Sequence, residues 1–427
     1  MTFCRGKPWL ALWILCKALL LAFALATPVY AADITADETC SLADAISAAN
    51  ADEAVGGCPA GDGADVIRLS ADVSLEDLLP PVNSVITLEG SGYTISGSGQ
   101  FQILRIETGE LTLNAATLSY GYNGWGGAIS NEGTVQVFDS QFSGNFADAQ
   151  GGAIYNEGEL YISNSSFQYN YAGYGGAIQT SGVAHIESVT FINNVAEYGG
   201  GAIDSGVVDT SALHEPELAI MNSAFRGNSA GWGGAILAEH ALSISGSDFV
   251  GNAAEEGGAL YSWGQIAADI TNTTFAHNEA EYEGGSIYDD GAARHGDVLT
   301  LAHVTFASNS ALSGNNIFLD SDLPTDLNMY NSIIASEVGH NCIGVLALNA
   351  DNLVSDASCG SAPNGNPMLA DLIEPEDGSP AYFPLLPGSP AIDAASSDFC
   401  PQADQIGTSR PQGDGCDIGA IEYVLEH

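Results

Sequence analysis

Positively charged residues are scarce in this chain of 427 residues. Eight lysines and arginines stand against 53 aspartates and glutamates, which gives a formal net charge of −45 at pH 7. No lysine follows Lys17. Because nucleic-acid binding depends on lysine and arginine at the phosphates, this balance argues strongly against it, and an anionic lipid surface is equally unsuitable. Hydrophobic residues make up 45% of the chain, so a folded core can form.

Membrane-spanning and common catalytic signatures are missing beyond the N-terminal segment. The chain contains no P-loop and no HExxH motif, and no apolar run of about 18 residues follows residue 31. Residues 1–31 combine a basic start, an apolar stretch broken by Lys17 and small residues before Ala32. This pattern is typical of a signal peptide cleaved before Ala32, so we expect a secreted or cell-surface protein. A retained membrane anchor is the alternative.

The six cysteines that follow this segment suit an oxidising compartment. Their spacing forms three local pairs, and although six cysteines allow other pairings, we expect the local disulfides: Cys40–Cys58, Cys342–Cys359 and Cys400–Cys416. A metal site is disfavoured, because no CxxC is present and the histidines lack ligand spacing. The sequence therefore predicts no cofactor.

Two short motifs recur in phase along the middle of the chain. Gly-Gly-Ala-Ile or a close variant begins at Gly126, Gly151, Gly175, Gly200, Gly233, Gly257 and Gly284. Phe-x-x-Asn accompanies it, with phenylalanines at Phe142, Phe167, Phe191, Phe225, Phe249, Phe275 and Phe306. An eroded eighth copy begins at Gly314. Self-similarity at this period predicts a solenoid.

Between the motifs, apolar residues recur two apart, as in Val135/Val137 and Leu160/Ile162. Spacing of two is the period of a β-strand, so each repeat offers three short strands separated by turn residues. Three strands in each repeat predict an all-β fold, a right-handed parallel β-helix of the pectate-lyase-like type. Extra residues around Asp209–Glu217 are expected to form a loop.

The repeated residues have structural roles in such a stack. Paired glycines allow a tight corner, phenylalanines pile into an internal column, and asparagines form a ladder of side-chain amides. We therefore interpret them as core residues and not as a binding site.

Three parts of the chain resemble known families. The two motifs are similar to the repeat of chlamydial polymorphic outer-membrane proteins. Cys40-Ser41-Leu42-Ala43-Asp44-Ala45-Ile46 resembles the CSLREA domain of exported β-helix proteins, with Ala43 and Asp44 in place of Arg-Glu. Segments 389–393 and 417–422 resemble the choice-of-anchor Q domain. The expected organisation is a signal peptide (1–31), an N-terminal cap (32–61), a β-helix (62–339, clear repeats 126–317) and a C-terminal cap (340–427).

A catalytic function has to be argued from individual residues and cannot be inferred from the fold. Elimination from an acidic polysaccharide needs basic groups, and lysine is absent from the repeats. Hydrolysis needs two facing carboxylates, for which the nearest candidates are Asp289 and Asp290 beside Arg294 and His295. A polar turn is the favoured interpretation of that group.

Two surface patterns remain. Large aromatic residues lie just before the glycine corner in several repeats: Trp125, Tyr174, Tyr198, Trp232 and Tyr282. If the stacked coils align their side chains, these residues are candidates for glycan binding. The alternative is that they only cover the glycine corner. Acidic residues at the same corner could collect Ca²⁺, although a solvated acidic face is the favoured interpretation: Glu255, Glu256, Glu281 and Glu283.

The sequence thus favours an exported, non-catalytic surface protein for adhesion or for binding an extracellular polysaccharide or cell-surface glycan. A polysaccharide lyase or glycoside hydrolase is the alternative, and a purely structural spacer is a third interpretation.

Overall fold

The computed structural model describes residues 32–206, 217–263, 267–290, 298–320, 327–335, 340–344, 348–359 and 365–424. These residues are nearly all β and wind through about ten turns of a solenoid built from parallel sheets. The predicted parallel β-helix is confirmed. The expected signal peptide, and residues 209–216 of the expected loop, lie outside the described residues.

Each full coil passes through four sheets in the order 1, 2, 3, 4. Among the described residues, sheet 1 has 13 strands: Asp33–Ala36, Ala64–Leu69, Val85–Glu89, Glu110–Asn114, Thr134–Phe138, Glu159–Ser163, Val183–Glu187, Glu217–Met221, Ala241–Ser245, Ala268–Thr271, Leu299–Ala302, Leu327–Tyr330 and Leu348–Ala350. Sheet 2 has 12 strands: Val73–Ser74, Thr94–Ser96, Thr117–Ser119, Gln141–Ser143, Ser166–Gln168, Thr190–Ile192, Ala224–Arg226, Asp248–Val250, Thr274–Ala276, Thr305–Ala307, Ile333–Ala335 and Leu353–Val354.

Sheet 3 is formed by four strands and then by two further strands: Tyr122–Trp125, Phe146–Gln150, Tyr171–Tyr174 and Val195–Gly199, then Ala253–Glu256 and Glu279–Glu283. Sheet 4 has 10 strands in the described residues: Leu104–Ile106, Ile129–Asn131, Ile154–Asn156, Ile178–Thr180, Ile203–Asp204, Ile236–Ala238, Leu260–Ser262, Ile287–Asp289, Ile317–Leu319 and Cys342–Ile343.

The core is a set of columns in which one coil places its side chain on the same side chain of the next. The seven repeat phenylalanines, Phe142 to Phe306, are fully buried. Their ring centroids are 4.5–5.1 Å apart, close to the strand spacing. The predicted phenylalanine column is confirmed.

The predicted asparagine ladder is also present. The amide nitrogen of Asn145 donates to Asn170 Oδ1 at 3.0 Å, and Asn170 donates to Asn194 at 2.9 Å. The series continues through Asn228, Asn252, Asn278 and Asn309. Each amide therefore has a partner inside the stack, as a buried polar row requires.

Sheet 3 is an addition to the three strands that the sequence predicts. It lies between the ladder asparagine and the glycine corner, where only a small inward residue such as Ala147 or Ala172 recurs. At the corner, Gly151 has φ +63°, and a Cβ there would lie against the carbonyl oxygen of Ile154. This explains why glycine opens each repeat motif.

Both ends of the solenoid carry additional chain. The α-helix Leu42–Ala51 buries Leu42, Ala45 and Ile46 against the first coils. Residues 365–424 include the 3₁₀ helix Ser397–Phe399 and lie on the outer face of the later strands of sheet 2, for example through Thr274 Oγ1 to Gln405 Oε1 at 2.6 Å. The three expected disulfides join their local partners, with Cα–Cα distances of 4.7, 4.9 and 6.2 Å.

Candidate ligand-binding face

The five candidate glycan-binding rings lie near the end of sheet 3. Register pairs run through one column of successive coils: Trp125, Gln150, Tyr174, Gly199, Trp232, Glu256 and Glu283. Three of the candidate rings share this column, with Gln150 and Gly199 between them. Tyr198 and Tyr282 each precede the column position by one residue.

These rings differ in their surroundings. Tyr174 and Tyr198 are 5.2 Å apart between centroids, so the structure brings this pair together. Trp232 is half-buried, 6.4 Å from Tyr261. Trp125 and Tyr282 are 54% and 45% exposed, with no close ring neighbour among the described residues. The five therefore do not form one continuous row.

A different row of rings stacks on the outer face of sheet 3. Tyr122, Phe146 and Tyr171 are register partners with centroid distances of 5.6 and 5.1 Å, and all three are exposed. These rings lie away from the glycine corner, so the corner motif does not predict them. Their signal is an aromatic residue directly after the ladder asparagine, as in Asn145-Phe146 and Asn170-Tyr171.

Together with neighbouring exposed rings, this row forms what we name the ring face. Its members lie on the first four strands of sheet 3 or two residues before them: Tyr120, Tyr122, Trp125, Phe146, Tyr169, Tyr171 and Tyr198. Polar groups accompany the rings. The hydroxyl of Tyr122 donates to Asp148 Oδ2 at 2.8 Å. The ring face thus combines apolar surface with hydrogen-bonding edges.

The acidic candidates replace rings in the later coils of sheet 3. Glu256 and Glu283 are register partners, and burial is the largest cause that raises the pKa of each. Glu255 and Glu281 are exposed. In the part of the chain that the structure describes, no three histidine, cysteine or acidic side chains are grouped to hold a metal ion.

Beyond the corner, the outward positions of sheet 4 form a second column with its own chemistry. From coil to coil it contains Tyr155, Gln179, Asp204, Leu237, Tyr261, Tyr288 and Phe318. Tyr174 and Trp232 pack against Leu237, Tyr261 and Tyr288. The column therefore lies beside the end of sheet 3 and is largely covered.

Asp204 is the carboxyl group of this column, and it is buried. Burial raises the pKa of Asp204 well above its usual range, the nearby Glu239 carboxylate raises it further, and the Gly206 amide opposes both. The pKa of Tyr174 is raised by burial and then by the charges of Asp204 and Glu239. The geometry agrees for the two acids, since a Cβ on Gly206 would lie 3.1 Å from Asp204 Oδ1 and 3.3 Å from Glu239 Oε1.

The structure does not show the candidate hydrolase residues as two carboxyl groups that face each other. Asp289 is buried at the end of its sheet 4 strand and Asp290 follows it, half-buried. Arg294 and His295 lie outside the described residues. None of the described helices has the length and apolar character needed to cross a bilayer.

The architecture is that of a parallel β-helix repeat protein, and comparison with known families gives the same type of repeat. Residues 139–157, 188–206 and 222–239 match the Chlamydia polymorphic membrane protein repeat. Proteins of that family are exposed on the outer membrane, which is consistent with a cell-surface location. No curated protein and no solved structure matches the chain significantly. The resemblances to the CSLREA and choice-of-anchor domains stay predictions.

Proposed function

We propose that this protein is a non-catalytic cell-surface β-helix that binds glycans through the ring face. The observation that carries this proposal is the concentration of seven exposed rings on or beside the first four strands of sheet 3. Sugar rings offer apolar C–H faces to aromatic side chains, and hydrogen-bonding groups beside the rings fix their orientation. Exposed apolar surface of this kind marks an interaction site.

The negative charge of the protein favours neutral glycans as ligands. The formal net charge of −45 repels a polyuronate or a sulfated chain before contact. A neutral polysaccharide pays no such penalty. Binding would then depend on stacking and hydrogen bonds, so it should change little with salt.

Affinity electrophoresis in gels that contain neutral polysaccharides tests the proposal. The wild type should be retarded in at least one gel, and the double variant Trp125→Ala/Tyr171→Ala should lose that retardation. Tyr282→Ala is the matched control, because the 45% exposure of Tyr282 lies between those of Trp125 (54%) and Tyr171 (37%) while its neighbours are the acidic coils. Equal mobility of wild type and double variant in every gel would contradict the proposal.

The same preparations distinguish the alternatives. A lyase or hydrolase would release unsaturated or reducing products from the glycan that retards it. A structural spacer would run freely in every gel. Unchanged glycan with ring-dependent retardation supports binding without catalysis.

A further inference from the structure

Two tyrosines of the ring face occupy a backbone position that the other coils give to small or polar residues. The position directly follows each sheet 2 strand, and its residue has a positive φ in successive coils; we name it the left-handed column: Tyr120, Gly144, Tyr169, Asn193, Gly227, Gly251, His277 and Ser308. Glycine enters this region freely, and asparagine and histidine enter it more readily than most residues. A bulky side chain there strains the backbone. Tyr120 and Tyr169, with φ of 51° and 55°, are the two bulky members.

The fold does not bury these two rings in return for the strain. Tyr120 is 62% exposed and Tyr169 is 61% exposed. Neither ring stacks on another ring within the described part of the chain. A strained position whose side chain stays in solvent contributes little to the core, and strain of this kind is concentrated at ligand-binding sites.

The neighbouring row of rings differs, because its members direct their faces at one another. Phe146 lies between Tyr122 and Tyr171, with interplanar angles of 29° and 10°. A ligand therefore meets mainly the edge of Phe146. A sugar stacks its C–H surface on the face of an aromatic ring. The unstacked rings of Tyr120 and Tyr169 are better placed for that contact.

Gly144 separates the two tyrosines in the left-handed column. A Cβ on Gly144 would lie 3.2 Å from Cε1 of Tyr120 and 3.4 Å from its Cδ1, so the Tyr120 ring lies against this glycine. Tyr120 and Tyr169 are two coils apart, which is about 9–10 Å along the solenoid axis at the usual strand spacing. The column position between them carries no side chain.

We propose that the glycan bound at the ring face is a linear β-1,4-linked neutral polysaccharide that lies along the solenoid axis, with Tyr120 and Tyr169 contacting alternate sugars. This inference rests on the proposed function. Pyranoses joined by equatorial β-1,4 bonds form a flat ribbon that turns over at each linkage, so the same face returns at every second sugar. Each sugar extends such a ribbon by about 5 Å, close to one strand spacing, so two sugars match two coils. Glucans with α-1,4 or β-1,3 linkages curve into helices and do not return the same face at that distance.

Affinity electrophoresis of the full chain distinguishes these linkages. Separate gels contain a β-1,4-linked glucomannan, an α-1,4-linked glucan or a β-1,3-linked glucan, all of them neutral. We expect the glucomannan alone to retard the wild type. Cellotetraose is long enough to reach both tyrosines and should release the protein from the glucomannan. Cellobiose contacts one ring and should need about a tenfold higher concentration.

Two substitutions in the left-handed column change the contact while keeping the backbone. Asparagine fits the position, because Asn193 occupies it with φ 52°. Gly144→Asn fills the space against Tyr120, and Tyr169→Asn removes a ring, so each should weaken retention by the glucomannan about tenfold. Tyr169→Asn should leave the melting temperature unchanged or slightly higher, since it relieves backbone strain. Gly251→Asn is the matched control, because Gly251 has φ +65° and a Cβ there meets no atom within 4 Å.

Each outcome has a separate meaning, with circular dichroism verifying the fold of each variant. Glucomannan-specific retardation that falls in Gly144→Asn and Tyr169→Asn but not in Gly251→Asn supports the inference. Retardation by the α-1,4-linked or β-1,3-linked glucan, or unchanged retention in either of the first two variants, overturns it and leaves the proposed function standing. Loss in the Gly251→Asn control, or a lower melting temperature in Tyr169→Asn, also overturns it. No retardation in any gel contradicts both this inference and the proposed function.

Discussion

The early and late coils share one core but differ in what covers their outer faces. In one outward column of sheet 2, the early coils carry half-exposed residues such as Ser143 and Gln168. The late coils carry the buried Val250, Ala276 and Ala307 in the same column. The tail, residues 365–424, packs over the late coils, where Ala381 and Phe383 join those residues in one cluster.

This difference shows that inner and outer positions obey different constraints. Inside, the strand period and the stacking distance fix every column. At outward positions the backbone tolerates many residue types, and the type found depends on what packs against that face of the sheet. Sheet 3 shows the same freedom: the column of Tyr122, Phe146 and Tyr171 continues into Ala253 and Glu279. An outward apolar residue can therefore mark either a docked tail or an open binding face.

A substitution that disrupts the packing of the tail should have the largest effect on the free energy of unfolding. Arg410 is buried and donates to Glu422 Oε2 at 2.9 Å and to the Gly419 carbonyl at 2.8 Å. In Arg410→Ala, the Glu422 carboxylate would stay buried without its partner, which should lower the free energy of unfolding by about 3–5 kcal/mol. Denaturant titration measures this, and limited proteolysis should show faster cleavage of the tail.

The matched control is Arg68→Ala in an early coil. Arg68 pairs with Asp33 at 3.0 Å, but both side chains are about half-exposed or more, so the change should cost about 0–1 kcal/mol. Similar losses for the two arginine variants would show that the tail does not depend on its buried ion pair.

Acidification should weaken the attachment of the same tail, because His303 contacts it. This buried ring contacts the carbonyl oxygens of Phe399 and Gly419 at 2.8 and 3.3 Å. Burial, aided by the charge of Arg410, lowers the pKa of His303 to about 4. Because the unfolded ring titrates near 6.5, the unfolded state binds more protons between these values. The stability linked to His303 is therefore complete above about pH 6.5 and is lost as the pH falls towards 4.

Two carboxyl groups act in the opposite direction. Burial raises the pKa of Asp248 and of Asp417 to about 6, so the folded state binds more protons than the unfolded state between about pH 4 and 6. Their contribution to stability falls as the pH rises through that window. The pH profile of the wild type alone would therefore mix opposing effects.

Comparing His303→Gln with the wild type isolates the histidine. The free energy of unfolding of the variant, relative to the wild type, should rise by up to about 3 kcal/mol as the pH falls from 6.5 to 4. Chemical denaturation at several pH values measures this difference. A difference that stays constant with pH would mean that His303 does not hold a depressed pKa in the folded protein.

Exchanging residues within one outward column should have a smaller effect. Ala276 is fully buried beneath the tail, so Ala276→Gln should cost about 1–3 kcal/mol through overpacking. Gln168 occupies the same column in an open coil, and Gln168→Ala should change stability by no more than about 0.5 kcal/mol. Thermal unfolding of both variants measures the contrast. An equally tolerated Ala276→Gln would show that the tail does not pack tightly there.

The inner structure could be predicted from the sequence because identical residues recur at a fixed period. The Phe142–Phe167 stack and the Asn145–Asn170 bond both follow from two motifs that stay in phase. Sheet 3 could not be predicted in this way, since its inward residues are small and its length varies. Gln150 and Gly199 come from coils with one extra residue before the corner. That extra residue displaces Tyr198 from the column of Tyr174.

The outer sites were harder to predict because they depend on neighbours from several coils. Nothing in the sequence near Gln179 or Glu239 shows that both approach Gly206. The covering of Val250 and Ala276 depends on Phe383, more than one hundred residues later. Spacing rules describe positions within one repeat, whereas these contacts join different repeats or the tail.

The smallest expected effect concerns the open face itself. Phe146 lies between Tyr122 and Tyr171 at centroid distances of 5.6 and 5.1 Å, yet it is 38% exposed. Phe146→Ser should therefore lower the free energy of unfolding by only about 0.5–1.5 kcal/mol, the contribution of an aromatic pair. The buried Phe142 of the same coil is the matched comparison, and Phe142→Ala should cost about 3–5 kcal/mol.

Denaturant titration of the two phenylalanine variants measures that contrast directly. If Phe146→Ser destabilises the chain as much as Phe142→Ala does, the outer rings support the fold and are not available to a ligand. If its cost is small while its retardation in polysaccharide gels is lost, the outer row serves binding. Early coils would then keep their exposed rings for a ligand, whereas the late coils bury their outward apolar residues beneath the tail.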